Sequence, residues 1–220
     1  MCQNLWSLEL LLQFADLSDN EKMLNLCFAI SSCQNLTNLY LDFTQNKISE
    51  KGASYLGLEL SKISSLQSLA ISIMSNNIGS NGLILLIQPI SLLQNLSYLE
   101  LDVSGNELIS NSLEALGQTF KTMTNLQTIK LYLNNNKIDD QGVCSLVCDL
   151  QLCSQLSCIS LQLEQNQISE QLDLKVRRKL KKFNRLVFLN AILYKSEDDY
   201  YDYYDYFDSD DYFDSDDYSF

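Results

Sequence analysis

Asparagine recurs in this chain with a period of 30 residues, at Asn46, Asn76, Asn106, Asn136 and Asn166. Leu36, Leu66, Leu96, Leu126, Leu156 and Leu186 keep the same spacing. A fixed period of this length restricts the chain to architectures that stack one supersecondary unit many times, because a single unit cannot bury its own apolar face. The aligned strings are LTNLYLDFTQNKI (36–48), LQSLAISIMSNNI (66–78), LSYLELDVSGNEL (96–108), LQTIKLYLNNNKI (126–138) and LSCISLQLEQNQI (156–168). Each reads L-x-x-[LI]-x-[LI]-x-[apolar]-x-x-N-x-[LI]. The alternation in its centre is that of a short strand with one buried face.

A second pattern follows each Asn. Gly52, Gly82 and Gly142 hold one register position, with Ser112 breaking the series, and Leu56, Leu86, Leu116 and Leu146 hold another. Leu60, Ile90, Phe120 and Leu150 come four residues later, then Ile63, Leu93, Met123 and Cys153 after three more. Spacings of three and four predict an amphipathic helix whose apolar stripe runs through all of these positions. Each unit is therefore strand, turn, helix and loop. The Asn stands where the chain leaves the strand and turns toward the helix, where backbone groups cannot all reach water. Its amide both donates and accepts, so a stacked column of them can satisfy that backbone as a ladder.

These residues resemble the leucine-rich repeat family. The helix-bearing half with its G-x-x-x-L is similar to the ribonuclease-inhibitor-like subtype, with two extra residues between strand and Asn. In an Asn- and Gln-rich chain, this 30-residue form resembles the repeat proteins of ciliates, many of them labelled kinase-domain proteins because a kinase lies elsewhere in longer chains. The resemblance spans about residues 4–194. It implies an α/β fold: a curved leucine-rich repeat solenoid with a parallel sheet on its concave face, helices on its convex face and noncatalytic protein binding. The ends are degenerate. NLWSLELLLQFADLSD (4–19) fits one residue out of step, with Ala15 in the place of the Asn, and RLVFLNAILYKS (185–196) supplies a last strand. The expected organisation is a repeat domain over 1–195, with a degenerate N-terminal repeat, five regular repeats and a final strand, then a disordered acidic tail over 196–220.

Little in the sequence points to catalysis. There is no His, which removes the commonest general base and metal ligand together. There is no G-x-G-x-x-G, V-A-I-K, D-F-G or Walker motif, so the kinase label has no counterpart in this chain. We expect no enzyme, no cofactor and no metal. Cys144, Cys148, Cys153 and Cys158 cluster, but Cys153 shares the apolar register of Ile63 and Leu93, so they read as small core residues. The seven cysteines form no disulfide framework, and the N-terminus has neither a basic n-region nor an uninterrupted apolar stretch. The expected location is the cytoplasm, with the nucleus as the alternative, and no membrane span is expected.

Binding is expected on the sheet face, through the side chains that alternate with the buried leucines: Tyr40 and Asp42, Glu100 and Asp102, Lys130, Tyr132 and Asn134, and Gln162 and Glu164. Tyr98, placed just before its strand, joins Tyr40 and Tyr132 as an aromatic anchor. The face is mildly acidic and suits a protein partner with a basic or mixed surface.

Two charged segments close the chain. Residues 172–185 (LDLKVRRKLKKFNR) hold seven of the fifteen Lys and Arg residues, and read as a last helix with a solvated basic face. Residues 196–220 hold eleven acidic residues and no basic one; setting them apart from the net charge of −13 leaves −2 for residues 1–195. A neutral folded part argues against nucleic-acid binding. The tail repeats FDSDDY at 207–212 and 213–218, a low-complexity pattern. It raises two alternatives to a scaffold or adaptor: an acidic-tail chaperone or regulator of basic proteins, and a kinase-less fragment or relative of a ciliate repeat kinase.

Overall fold

The computed structural model describes residues 4–180 and 188–192. The acidic tail, the boundary expected at 195 and the basic residues 181–185 lie outside the described residues. So do the side chains of Lys175, Arg177 and Arg178.

Strand and helix alternate throughout: β1 (Ser7–Leu11), α1 (Asn20–Ser31), β2 (Asn38–Asp42), α2 (Glu50–Leu60), β3 (Ser68–Ser72), α3 (Gly79–Ile90), β4 (Tyr98–Asp102), α4 (Ser110–Phe120), β5 (Thr128–Tyr132), α5 (Asp140–Leu150), β6 (Cys158–Gln162), α6 (Glu170–Leu180) and β7 (Phe188–Ile192). The strands form one parallel sheet in chain order, β1 to β7. Leu39, Leu69, Leu99, Ile129 and Ile159 stand side by side, so each step along the sheet is one repeat. Strands stack ~4.8 Å apart while helices need ~10 Å, so the helical side is longer and the sheet lines the inside of the curve.

The core lies between the two layers. In the second repeat Leu39 and Leu41 of β2, Phe43, Ile48, and Leu56 and Leu60 of α2 are all buried, as are their equivalents in later repeats. Helix starts are set locally. Ser49 accepts from the Gly52 N–H, Asp139 from those of Gln141 and Gly142, and Asp19 from that of Glu21. The first repeat is out of step as expected. Leu8 pairs with Leu39, 31 residues on, whereas the capping Asp19 and Ser49 are 30 apart, which puts the extra residue between β1 and α1.

One expectation needs correction. Ile63, Leu93, Met123 and Cys153 do not continue the helices, which end at Leu60, Ile90, Phe120 and Leu150. Each sits one tight turn further, where the Ile63 N–H bonds the Leu60 carbonyl and the Leu66 N–H bonds that of Ile63. Bonds spanning three residues keep the side chain on the core side while the chain reverses toward the next strand. Position, burial and spacing survive; the helix does not.

Candidate protein-binding face

The Asn column is bonded across repeats. Asn136 Nδ2 donates to the carbonyls of Val103, Leu133 and Asn134, and its Oδ1 accepts from the N–H groups of Asn106 and Leu108 at 3.0 and 2.9 Å. Asn76 bonds Asn46 and Ile48 in the same way, and Asn46 accepts from Ala15, the residue that replaces Asn in the first repeat. Asn106 accepts from Ile78, and Asn166 from Ile138. Asn46, Asn76, Asn106 and Asn136 are all buried. The residue before each Asn has a left-handed backbone: Gln45, Ser75, Gly105, Asn135 and Gln165 have φ between 54° and 66°. No side-chain pattern announced this column, and only Gly105 and Asn135 are types that favour it.

The turn fixes how the sheet face is presented. Asp42 Oδ1 accepts from the Thr44 N–H at 3.0 Å and Asp102 Oδ1 from that of Ser104 at 2.9 Å. Asp42 is buried, and Gln13 from the first repeat donates to its other oxygen. Asn134 was expected to serve binding alone, but its Oδ1 accepts from the Glu164 N–H at 2.8 Å and its Nδ2 reaches Gln162 Oε1 at 3.4 Å. It therefore also ties the fifth repeat to the sixth. Strand alternation places a side chain on a face, but a short amide there can still turn back to main chain.

Tyr98 also departs from expectation, because it is the first residue of β4 rather than a residue before it. Its hydroxyl donates to Glu100. Lys130, directly beside Glu100 in the sheet, lies 3.3 Å from the Glu100 carboxylate and 5.5 Å from the centre of the Tyr98 ring. Tyr98 first, and then Glu100, raise the Lys130 pKa and keep it protonated. This trio satisfies its own charges.

Beside the trio the face opens. Ala70 and Ser72 are the smallest residues in their rows, with Tyr40 and Glu100 flanking Ala70 and Asp42 and Asp102 flanking Ser72. The gap is a cavity of about 290 Å³ floored by Ala70 and Ser72, with Tyr40, Tyr132, Asp42, Glu100 and Asp102 around it. Burial holds the Asp102 carboxyl above its ordinary value, with the charges of Asp42 and Glu100 adding to this against hydrogen bonds from Ser104. Burial acts the same way on Asp42, but the bonds from Thr44 and Gln13 outweigh it and its pKa is lowered. Burial also raises the pKa of both Tyr40 and Tyr132, so both hydroxyls stay neutral. The structure thus gathers Tyr40, Asp42, Glu100, Asp102 and Tyr132 around one opening, whereas Gln162 and Glu164 stand on or after β6 and do not line it. Register alone puts Ala70 and Ser72 on this face, but the opening they floor and the part of Gln13 were missed; small residues in a column of large ones were the available signal.

Of the cysteines, Cys153 is buried and Cys27 more so, its thiol pushed up to about 12, mainly by burial. Cys148 is exposed on α5. Among the described residues no three Cys, Asp or Glu side chains converge as metal ligands, and no helix is long and apolar enough to cross a membrane.

The fold is a leucine-rich repeat solenoid: strand, Asn-bearing turn and helix repeated along an open parallel sheet. No family model matches the chain. No curated protein matches it either. Among solved structures it is similar to leiomodin-1 actin-binding site 2, with 14% identity over 64% of this chain and 78% of that one, at a TM-score of 0.48. It is also similar to internalin C2 from Listeria monocytogenes, with 24% identity over 74% of this chain and a TM-score of 0.42. An internalin F from the same organism matches with 15% identity over 74% of this chain at a TM-score of 0.28. The chain spans 54% and 56% of the two internalin chains.

Proposed function

We propose that the chain is a noncatalytic protein-binding module, a scaffold or adaptor, whose concave sheet takes a basic side chain of its partner between Tyr40 and Tyr132. The cavity over Ala70 and Ser72 carries this reading. Lys130 is committed to Glu100 and Tyr98, while among the described residues no cation pairs with Asp42 or Asp102. A lysine or arginine entering there meets carboxylates and aromatic rings around the opening, an arrangement that favours a cation. Tyrosines on a sheet made rigid by its neighbours lose little freedom on binding, which suits them as anchors.

Selection of random displayed peptides on the full chain tests this. Selected sequences should be enriched in Lys and Arg. Tyr132→Ala and the double variant Asp42→Asn, Asp102→Asn should each weaken them at least ~10-fold, about 1.4 kcal/mol. Peptides without a basic residue, or equal binding to the variants, would refute the assignment.

Acid provides an independent check. Because the Asp102 pKa lies above its ordinary value, that carboxylate is lost first as pH falls. Affinity for a basic peptide should drop between neutral pH and about pH 5, where a carboxylate of ordinary pKa is still mostly charged. The stability term runs the other way. A carboxyl with a raised folded-state pKa favours the fold below that pKa and loses the contribution as pH rises through it. Weaker binding at about pH 5 therefore need not come from loss of this group's contribution to folding; constant affinity down to that pH would contradict the role of Asp102.

A further inference from the structure

We infer that the cation site proposed above, on which this reading rests, selects a lysine ammonium over an arginine guanidinium, and that Ser72 sets the choice. Asp42 on β2, Ser72 on β3 and Asp102 on β4 stand side by side in one row of the sheet, ~4.8 Å from each strand to the next. All three line the opening. Tyr40 and Tyr132 line it too, but an aromatic face attracts either cation and does not distinguish them. The choice falls to the oxygen atoms.

A guanidinium is planar and rigid. It is held best when both oxygens of one carboxylate meet two of its parallel N–H groups. None of the three carboxylates at the opening has both oxygens unengaged. Asp42 accepts from the Thr44 N–H at Oδ1, 3.0 Å away, and from Gln13 at Oδ2. Asp102 Oδ1 accepts from the Ser104 N–H at 2.9 Å. Glu100 Oε2 accepts from the Tyr98 hydroxyl and lies 3.3 Å from Lys130 Nζ. A parallel pair needs one edge of both oxygens at once, and the fold already uses at least one oxygen of each group. An arginine would enter with five N–H donors and leave part of that fork without acceptors.

An ammonium makes a different demand. Its three N–H groups diverge, so each can go to a single lone pair on a separate residue. The row Asp42, Ser72 and Asp102 supplies three such residues on three adjacent strands. Ser72 Oγ lies 3.0 Å from Thr44 Oγ1, and a hydroxyl that donates to Thr44 keeps acceptor capacity for the ligand. Because Ala70 and Ser72 are small, the rows on β2 and β4 face each other across two strand spacings, ~9.6 Å, with little between them. One unbranched alkyl stem fits that slot and carries the ammonium to the row.

Calorimetric titration of the full chain tests this with one peptide from the selection described above. The peptide is made in three forms that differ only at the basic residue contributing most to binding: lysine, arginine and trimethyllysine. The lysine form should bind about 10-fold tighter than the arginine form. Trimethyllysine keeps the charge and loses every N–H, so it too should bind about 10-fold more weakly than lysine. Ser72 is half-buried, and Ser72→Ala should keep the parent Tm, weaken the lysine form and leave the arginine form unchanged, which narrows the preference. An arginine form as tight as lysine, a trimethyllysine form as tight as lysine, or a preference unaltered in Ser72→Ala would each overturn the inference while the cation site stands. Selected peptides without a basic residue would overturn the cation site itself.

Discussion

Asn136→Ala is expected to lower the unfolding free energy by about 3–5 kcal/mol. The amide is buried and makes contacts to five main-chain groups in two repeats. Alanine would leave the Asn106 and Leu108 N–H groups without this acceptor, at ~1–3 kcal/mol each, while the carbonyls of Val103 and Leu133 lose one donor and keep the amides of Asn106 and Asn166. Water does not enter at low cost, because Val103 and Leu133, whose carbonyls the amide bonds, have fully buried side chains. Its two neighbours set the scale. Asn134→Ala gives up the bond to the Glu164 N–H in a half-exposed position, where water substitutes, and should cost about 1 kcal/mol. Asn135 has φ 54°, so Asn135→Val should cost about 1–2 kcal/mol and Asn135→Gly almost nothing. Urea denaturation of the four variants, compared at constant m value, checks the order. Equal midpoints for Asn136→Ala and Asn134→Ala would show that the ladder does not carry the turn.

The triplet Asn134, Asn135 and Asn136 also shows what sequence could and could not reveal. The 30-residue period exposed Asn136, because its chemistry is needed once per repeat and nothing else substitutes for an amide there. Register placed Asn134 on the sheet face, but period-two alternation reports where Cβ points and is silent on what a short amide can reach from there. Asn135 had no visible role because a left-handed φ is a backbone property. Gln45, Ser75 and Gln165 fill the same column without advertising it. The helix ends were hidden for a related reason. Leu60 and Ile63 are three apart, a spacing that a helix and a tight turn both satisfy. On the sheet face, the large residues Tyr40, Asp42, Asp102 and Tyr132 were legible as candidates. The opening between them depends on Ala70 and Ser72, which attract no notice until the register sets them beside the tyrosines and carboxylates.

Gly57→Ala is expected to destabilise the protein by about 3 kcal/mol, against the sign that helix propensity alone would give. Gly57 lies inside α2, where alanine is normally better than glycine by ~1 kcal/mol. Here a Cβ would stand 2.4 Å from the Leu86 carbonyl oxygen and 2.8 Å from both the Leu85 oxygen and the Leu86 Cα. These are main-chain atoms of α3, so no rotamer change relieves the clash, and the helices must separate. The approach has a visible origin four residues on. Pro89 is inside α3 and has no N–H to offer the Leu85 carbonyl, which is left without its usual helical donor. With no side chain, Gly57 lets the two backbones close over that carbonyl, whose oxygen lies 2.8 Å from where a Cβ would stand. Gly117, one helix pair along, provides the control. A Cβ there meets the Asp149 side chain first, Oδ2 at 2.7 Å and Cβ at 2.8 Å; the carboxylate can turn away by giving up its 2.9 Å contact with Lys121, but the Cβ moves only with the backbone of α5. Gly117→Ala should therefore cost about 1–2 kcal/mol, less than Gly57→Ala, because no main-chain carbonyl is among the three nearest atoms. Thermal or urea unfolding of both variants decides the matter. If Gly57→Ala is as stable as the parent, or if Gly117→Ala is the worse of the two, close packing of α2 on the α3 backbone is not what holds these helices together.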